Sequence, residues 1–114
     1  PSPIEMKLSA NKNIEQVCVV GIGVPQPIAI VVLSERGKLK SREDLINSLT
    51  TTLKVVNPKL EGHEKIHNII IVKEDWTVEN ELLTPTMKIK RNAIEKIYQS
   101  NYTTWFEEDR VFFL

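Results

Sequence analysis

Two apolar runs, Ile14 to Val20 and Ile28 to Leu33, place the tightest limit on what this chain can fold into. Both are rich in β-branched residues, whose restricted χ1 suits a pleated strand. They are too continuous to leave one face in water, so the sheet they build has to be covered on both sides. The seven residues Gly21-Ile22-Gly23-Val24-Pro25-Gln26-Pro27 join them as a tight connection. Gly21 and Gly23 begin like a phosphate-cradling fingerprint, but Gln26 stands at the third glycine position and no helix follows. They read as turn residues instead.

Helices to cover such a sheet are legible downstream. Ser34-Glu35-Arg36-Gly37-Lys38 reads as a polar loop, and Ser41 with Asp44 has the spacing of a capping box, which starts a helix. Leu45, Leu49, Leu53 and Val56 lay one apolar stripe along it, enough to override the poor propensity of Thr50-Thr51-Thr52. Asn57-Pro58 ends that helix and opens a short turn through about Glu64. Ile66 to Val72 supplies a third strand, with its direction left open. From Arg91, a second stripe of Ile94, Ile97 and Tyr98, continued by Tyr102, Trp105 and Phe106, predicts a helix packed on the sheet. The expected fold is α+β, a small sheet of about three strands covered by helices on both faces. Val111 to Leu114 has two possible places, docked on the domain or against a missing partner.

A chain of 114 residues is the size of one domain with its own core. Lys plus Arg equals Asp plus Glu at 15 each, so no global field favours nucleic acid, an anionic membrane or an acidic partner. Any basic function must be local. Cys18, the single cysteine, lies in an apolar run with no basic neighbour in sequence; it reads as a small buried hydrophobe and suits a reducing compartment. No run approaches the roughly 18 apolar residues of a membrane span, and the amino end lacks a signal pattern, so a cytoplasmic protein is expected. His63 and His67 are four apart, but His67 falls at a strand entrance and no Cys or carboxylate cluster completes a set, so no metal site is expected. No Ser-His-Asp arrangement or P-loop is present.

The segment Leu83-Thr84-Pro85-Thr86-Met87-Lys88-Ile89-Lys90-Arg91 is where local basic chemistry concentrates. Pro85 fixes its own φ and keeps Thr84 out of helix, so the chain reaches Lys88 extended and exposed, while the helix from Arg91 anchors the far side. A lysine mounted this way can be carried into a pocket formed by something else, to stabilise charge developing on an oxygen. Without such a pocket the same residues are a solvated basic turn.

Leu82-Leu83-Thr84-Pro85-Thr86-Met87-Lys88-Ile89-Lys90-Arg91 resembles the closing motif of the AMP-forming acyl-CoA synthetases, most closely the long-chain fatty-acid branch of the adenylate-forming superfamily. Most relatives outside that branch read Thr-Pro-Ser-Gly-Lys; here Thr86-Met87 stand where Ser-Gly would be, a departure that fits the long-chain branch. The likeness extends through Trp76-Thr77-Val78-Glu79-Asn80, Gly21-Ile22-Gly23 with the following strand, and Pro1-Ser2-Pro3-Ile4-Glu5, and so covers essentially the whole chain. It implies that residues 1–114 are the mobile carboxyl-terminal domain of a larger enzyme, whose hinge and coenzyme A loop precede Pro1. It further implies ATP-dependent activation of a fatty acid to an acyl-adenylate, with release of pyrophosphate, followed by thioester formation with coenzyme A. Lys88 aligns with the lysine that bridges the carboxylate and α-phosphate, with Thr84, Thr86, Lys90 and Arg91 as weaker, phosphate-proximal candidates. ATP or AMP, Mg2+ and coenzyme A belong to the whole enzyme, and none is expected in the isolated, inactive domain.

The implied partners are its own amino-terminal domain, fatty acid, ATP and coenzyme A. No nucleic acid is expected, and any peripheral membrane contact would fall to the missing part. Two alternatives stand beside this reading. One is an adenylating enzyme that loads a carrier-protein thiol. The other is a non-enzymatic α+β nucleic-acid or protein interaction module using Lys88, Lys90, Arg91 and Lys96. The aromatic residues are not interleaved with the basic ones, and Glu107-Glu108-Asp109 would repel a phosphate backbone.

Overall fold

The computed structural model describes residues 2–114; Pro1, part of the matched opening stretch, lies outside them. The two β-branched runs form β1 (Ile14–Val20) and β2 (Ile28–Leu33), paired antiparallel across the expected connection, where Gly23 takes φ +81°. Ser41 accepts a hydrogen bond from Asp44 N–H and starts α3 (Arg42–Val56), whose Leu45, Leu49, Leu53 and Val56 are all buried. The helix carries the chain across to β3 (Asn68–Val72), which lies parallel to β2. Single 3₁₀ turns at Asn57–Lys59 and Gly62–Glu64 fill the interval before β3.

Three local features differ from the expected fold or add to it. Ser34 to Lys38 is not a loop: Ser34 Oγ accepts from Gly37 N–H and caps one helical turn, α2 (Glu35–Lys38). The lead-in also holds a helix, α1 (Pro3–Leu8), with Ser2 and Glu5 forming a reciprocal capping box and Pro3 at its first position. The carboxyl end supplies a fourth strand, β4 (Val111–Phe113), parallel to β3, so the order is β1-β2-β3-β4 and the tail is docked on its own domain.

Every residue of β3, and all of β2 but Leu33, is buried, because both faces are covered as the continuous runs require. On one face Cys18, Val20, Ile30, Val32, Ile70 and Val72 pack against α4 (Arg91–Tyr98), α5 (Tyr102–Phe106) and the Trp76–Leu83 segment. On the other, Val17, Ala29, Val31, Ile69 and Ile71 meet Leu8 of α1 and Leu49, Leu53 and Val56 of α3. Tyr98, Tyr102 and Trp105 are buried core residues, with each tyrosine ring tilted against Trp105. Ile97 departs from the predicted stripe: it is 52% exposed, since Ile94 and Tyr98, one turn apart, take the sheet-facing side of α4.

Candidate functional site

Lys88 sits on a hairpin whose geometry follows from its sequence. Met87 N–H donates to Thr84 C=O at 2.8 Å, and Thr84 N–H donates to Lys88 C=O at 2.7 Å. This is the bonding pattern of a three-residue hairpin loop, Pro85-Thr86-Met87, whose last residue must be left-handed. Met87 obliges at φ +67°. Thr84 Oγ1 accepts from Lys88 N–H at 3.1 Å and lies 3.1 Å from Thr86 Oγ1, so both threonines brace the bend through hydroxyls.

The stem is fixed to the core. Leu83 bridges antiparallel to Ile89, and Lys90 N–H donates to Leu82 C=O at 2.9 Å. Leu82 and Leu83 are buried, and their N–H groups converge on Thr77 C=O. Thr77 and Asn80 cap one another reciprocally, while Trp76 inserts into the core beside Tyr98. The Trp76–Asn80 stretch therefore holds the base of the hairpin. Lys88 is exposed at its tip, and its ammonium makes no hydrogen bond or ion pair among the described residues.

Arg91 behaves differently. Its Nη2 donates to Glu5 Oε2 at 2.7 Å, and its Nη1 donates to Val19 C=O at 2.7 Å and lies 3.4 Å from Cys18 Sγ. Glu5 is 2% exposed and also accepts from Val19 N–H at 2.7 Å. Burial pushes the Glu5 carboxyl upward, but the hydrogen bonds from Val19, Arg91 and Ser2 outweigh it and hold the group below its ordinary value. Cys18 is buried as expected, though Arg91 reaches it through space where no cation adjoins it in sequence. Burial dominates, and the thiol is pushed up to about 12.

Met87, Lys88 and Arg91 share a groove of about 510 Å³ with Ser2, Glu5 and Glu15. Lys90 turns away with Lys96 onto a shallower hollow along α4. Thr84 and Thr86 stay within the bend. His67 stacks on Phe106 at 3.8 Å, with Nε2 2.9 Å from the Phe106 carbonyl oxygen, while His63 lies in the 3₁₀ turn Gly62–Glu64. Among the described residues no three His, Cys, Asp or Glu side chains come together. No described helix is long and apolar enough to cross a membrane. Sequence reasoning passed over Glu5, although Ser2-Pro3-Ile4-Glu5 carries the capping-box spacing that marks it.

Comparison with known proteins agrees with this architecture. A long-chain-fatty-acid CoA ligase of Mycobacterium tuberculosis is 25% identical over 126 aligned positions, covering 96% of this chain and 21% of its own length. Long-chain-fatty-acid CoA ligase 5 of Mus musculus is 27% identical over 94% of this chain and 18% of its own. A peroxisomal acyl-CoA ligase of Penicillium roqueforti reaches 44% identity over 44% of this chain and 7% of its own length. The chain thus spans about a fifth or less of these relatives. Among solved structures, the adenylation domain of a carboxylate reductase from Mycobacterium chelonae superposes with a TM-score of 0.76 at 20% identity, covering 92% of this chain and 17% of that one, a likeness of fold. Residues 1–110 match the family described as the AMP-binding enzyme C-terminal domain, and the chain belongs to that family.

Proposed function

We propose that this chain is the mobile carboxyl-terminal lobe of an ATP-dependent long-chain fatty-acid CoA ligase and that Lys88 is its adenylation-step lysine. The observation that carries the reading is the exposed Lys88 ammonium, without a partner among the described residues and mounted on a braced hairpin. In the reaction a carboxylate oxygen attacks the α-phosphorus of ATP and the bond to pyrophosphate breaks. The sulfur of coenzyme A then attacks the acyl carbon, and AMP leaves with its oxygen. Lys88 contributes to the first step by holding the two anions together and stabilising charge on the α-phosphoryl oxygens.

Cover by a second domain decides how strong that contribution is. A pair of unit charges 4 Å apart gains about 1 kcal/mol in bulk water but about 4 kcal/mol at an effective dielectric near 20. Alone, the lobe holds nucleotide weakly and is inactive. Against a larger domain that supplies the nucleotide and acyl pockets, the same cation becomes a strong catalyst. A divalent cation would neutralise phosphate charge when nucleotide is bound, held by the nucleotide and the larger domain. Rotation of the lobe between steps lets one cleft serve both reactions. Thr84 and Thr86 set the bend, Lys90 and Arg91 rank below Lys88 because Lys90 turns away along α4 and the Arg91 guanidinium is taken by Glu5 and Val19, and a cytoplasmic setting accords with the buried, unpaired Cys18.

The family assignment leaves the nucleic-acid module without support. The test is long-chain-acid-dependent exchange of pyrophosphate into ATP by the full-length protein, followed by a comparison of coenzyme A and a phosphopantetheinyl carrier as acceptor. Exchange with thioester formation on coenzyme A is expected. Transfer to the carrier alone would move the assignment to the carrier-loading alternative, and absence of acid-dependent exchange would overturn it.

A further inference from the structure

We propose that Glu5 and Arg91 form a clamp that positions the Lys88 hairpin, an inference that rests on the function assigned to Lys88 above. Glu5 Oε2 receives both Val19 N–H and Arg91 Nη2 at 2.7 Å, and Glu5 Oε1 accepts from Ser2 N–H at 3.2 Å. Arg91 Nη1 then closes on Val19 C=O. Both backbone groups of Val19 on the open edge of β1 are thereby satisfied by one carboxylate and one guanidinium, where a further strand would otherwise bond.

The consequence reaches the hairpin because Arg91 is the first residue of α4 and ends the returning arm Lys88-Ile89-Lys90. That arm is tied on one side by the bond from Lys90 N–H to Leu82 C=O and on the other by the Arg91 guanidinium. The next turn of α4 places Ile94, fully buried, in the core. Stability alone is a poor reason for the pair, since only Glu5 is buried while Arg91 remains partly solvated, and such a pair gains little over apolar residues of similar volume. What a guanidinium with one nitrogen on a fixed carboxylate and the other on a backbone carbonyl supplies is direction. A displacement of about 1 Å at a reacting group can cost on the order of 10²-fold in rate, so a support that fixes the root of the Lys88 arm is a positioning device.

The experiment uses the full-length enzyme with Glu5→Gln, Arg91→Lys and Lys88→Ala, and each clamp variant combined with Lys88→Ala. Each clamp variant is expected to slow acyl-adenylate formation by about tenfold or more, while thioester formation from supplied acyl-adenylate changes by less than about threefold. In the Lys88→Ala background, adding either clamp substitution is expected to slow adenylation by less than about twofold, because the clamp acts through that lysine. Multiplying losses in the double variants, equal losses in both half-reactions, or wild-type rates in the single variants would each overturn the clamp. Should Glu5→Gln fail to fold, Arg91→Lys carries the test, since that side chain is 43% exposed. If Lys88→Ala by itself slows both half-reactions equally, the functional reading fails; if it separates them and the clamp variants do not, only the clamp does.

Discussion

Met87 offers a quantitative test of the hairpin geometry. Its φ of +67° is a left-handed conformation that costs a non-glycine residue roughly 1–2 kcal/mol. Glycine removes that cost but gives the unfolded chain more freedom, worth roughly 0.5–1 kcal/mol in the opposite direction. The Met87 side chain is 59% exposed, so truncation sacrifices little packing, and sacrifices nearly the same amount in alanine and glycine. Comparing the two substitutions isolates the backbone term: taking about 1.5 and about 0.75 from the middle of those ranges, Met87→Gly should be more stable than Met87→Ala by about 0.75 kcal/mol. At a urea dependence of about 1.5 kcal/mol per molar, that is a midpoint difference of about 0.5 M. Met87→Val, β-branched at positive φ, should fall below both. Alanine matching or exceeding glycine would refute the three-residue hairpin, because at ordinary negative φ the order reverses.

Other substitutions probe the surrounding frame. Gly37→Ala would place a Cβ 2.5 Å from the Asn13 carbonyl oxygen and should cost about 1–3 kcal/mol, whereas Gly62→Ala meets nothing within 4 Å and should be neutral or stabilising by up to about 1 kcal/mol; urea midpoints for the pair check this contrast. Glu5 makes the lobe acid-sensitive: its folded carboxyl lies below the ordinary 4.5, so its stabilisation is fully present above that pH and is lost as pH falls through the lower folded value. Urea midpoints measured from pH 7 downward should therefore fall less steeply below about pH 4.5 in Glu5→Gln than in the parent, and parallel curves would count against the clamp's electrostatics.

Much of the fold was legible because its signals are local. The Ser41 cap and the four-residue recurrence of Leu45, Leu49 and Leu53 identify α3 without any tertiary information. The apolar runs of β1 and β2 imply cover on both faces, and the structure supplies it most fully along β2 and β3. What was not legible depends on distant partners. β4 is three residues long and takes its strand character from pairing with β3, so Val111–Phe113 carries no period of its own. Ile97 fits the stripe of α4 by spacing, yet Ile94 and Tyr98 occupy the sheet-facing side. The exposed position of Lys88 follows from Pro85 and the turn, whereas the ion pair of Arg91 joins residues 86 apart in sequence, which no local pattern reports.

The most direct measurement is the rate of each half-reaction in the full-length enzyme carrying Lys88→Ala. Loss of the ammonium should slow acyl-adenylate formation by about 10²- to 10³-fold, the usual consequence of removing one preorganised contact to developing charge. Thioester formation from supplied acyl-adenylate should stay within about threefold of the parent, since Lys88 is assigned only to the first step. Equal slowing of both steps, or adenylation at the parent rate, would contradict the role given to Lys88.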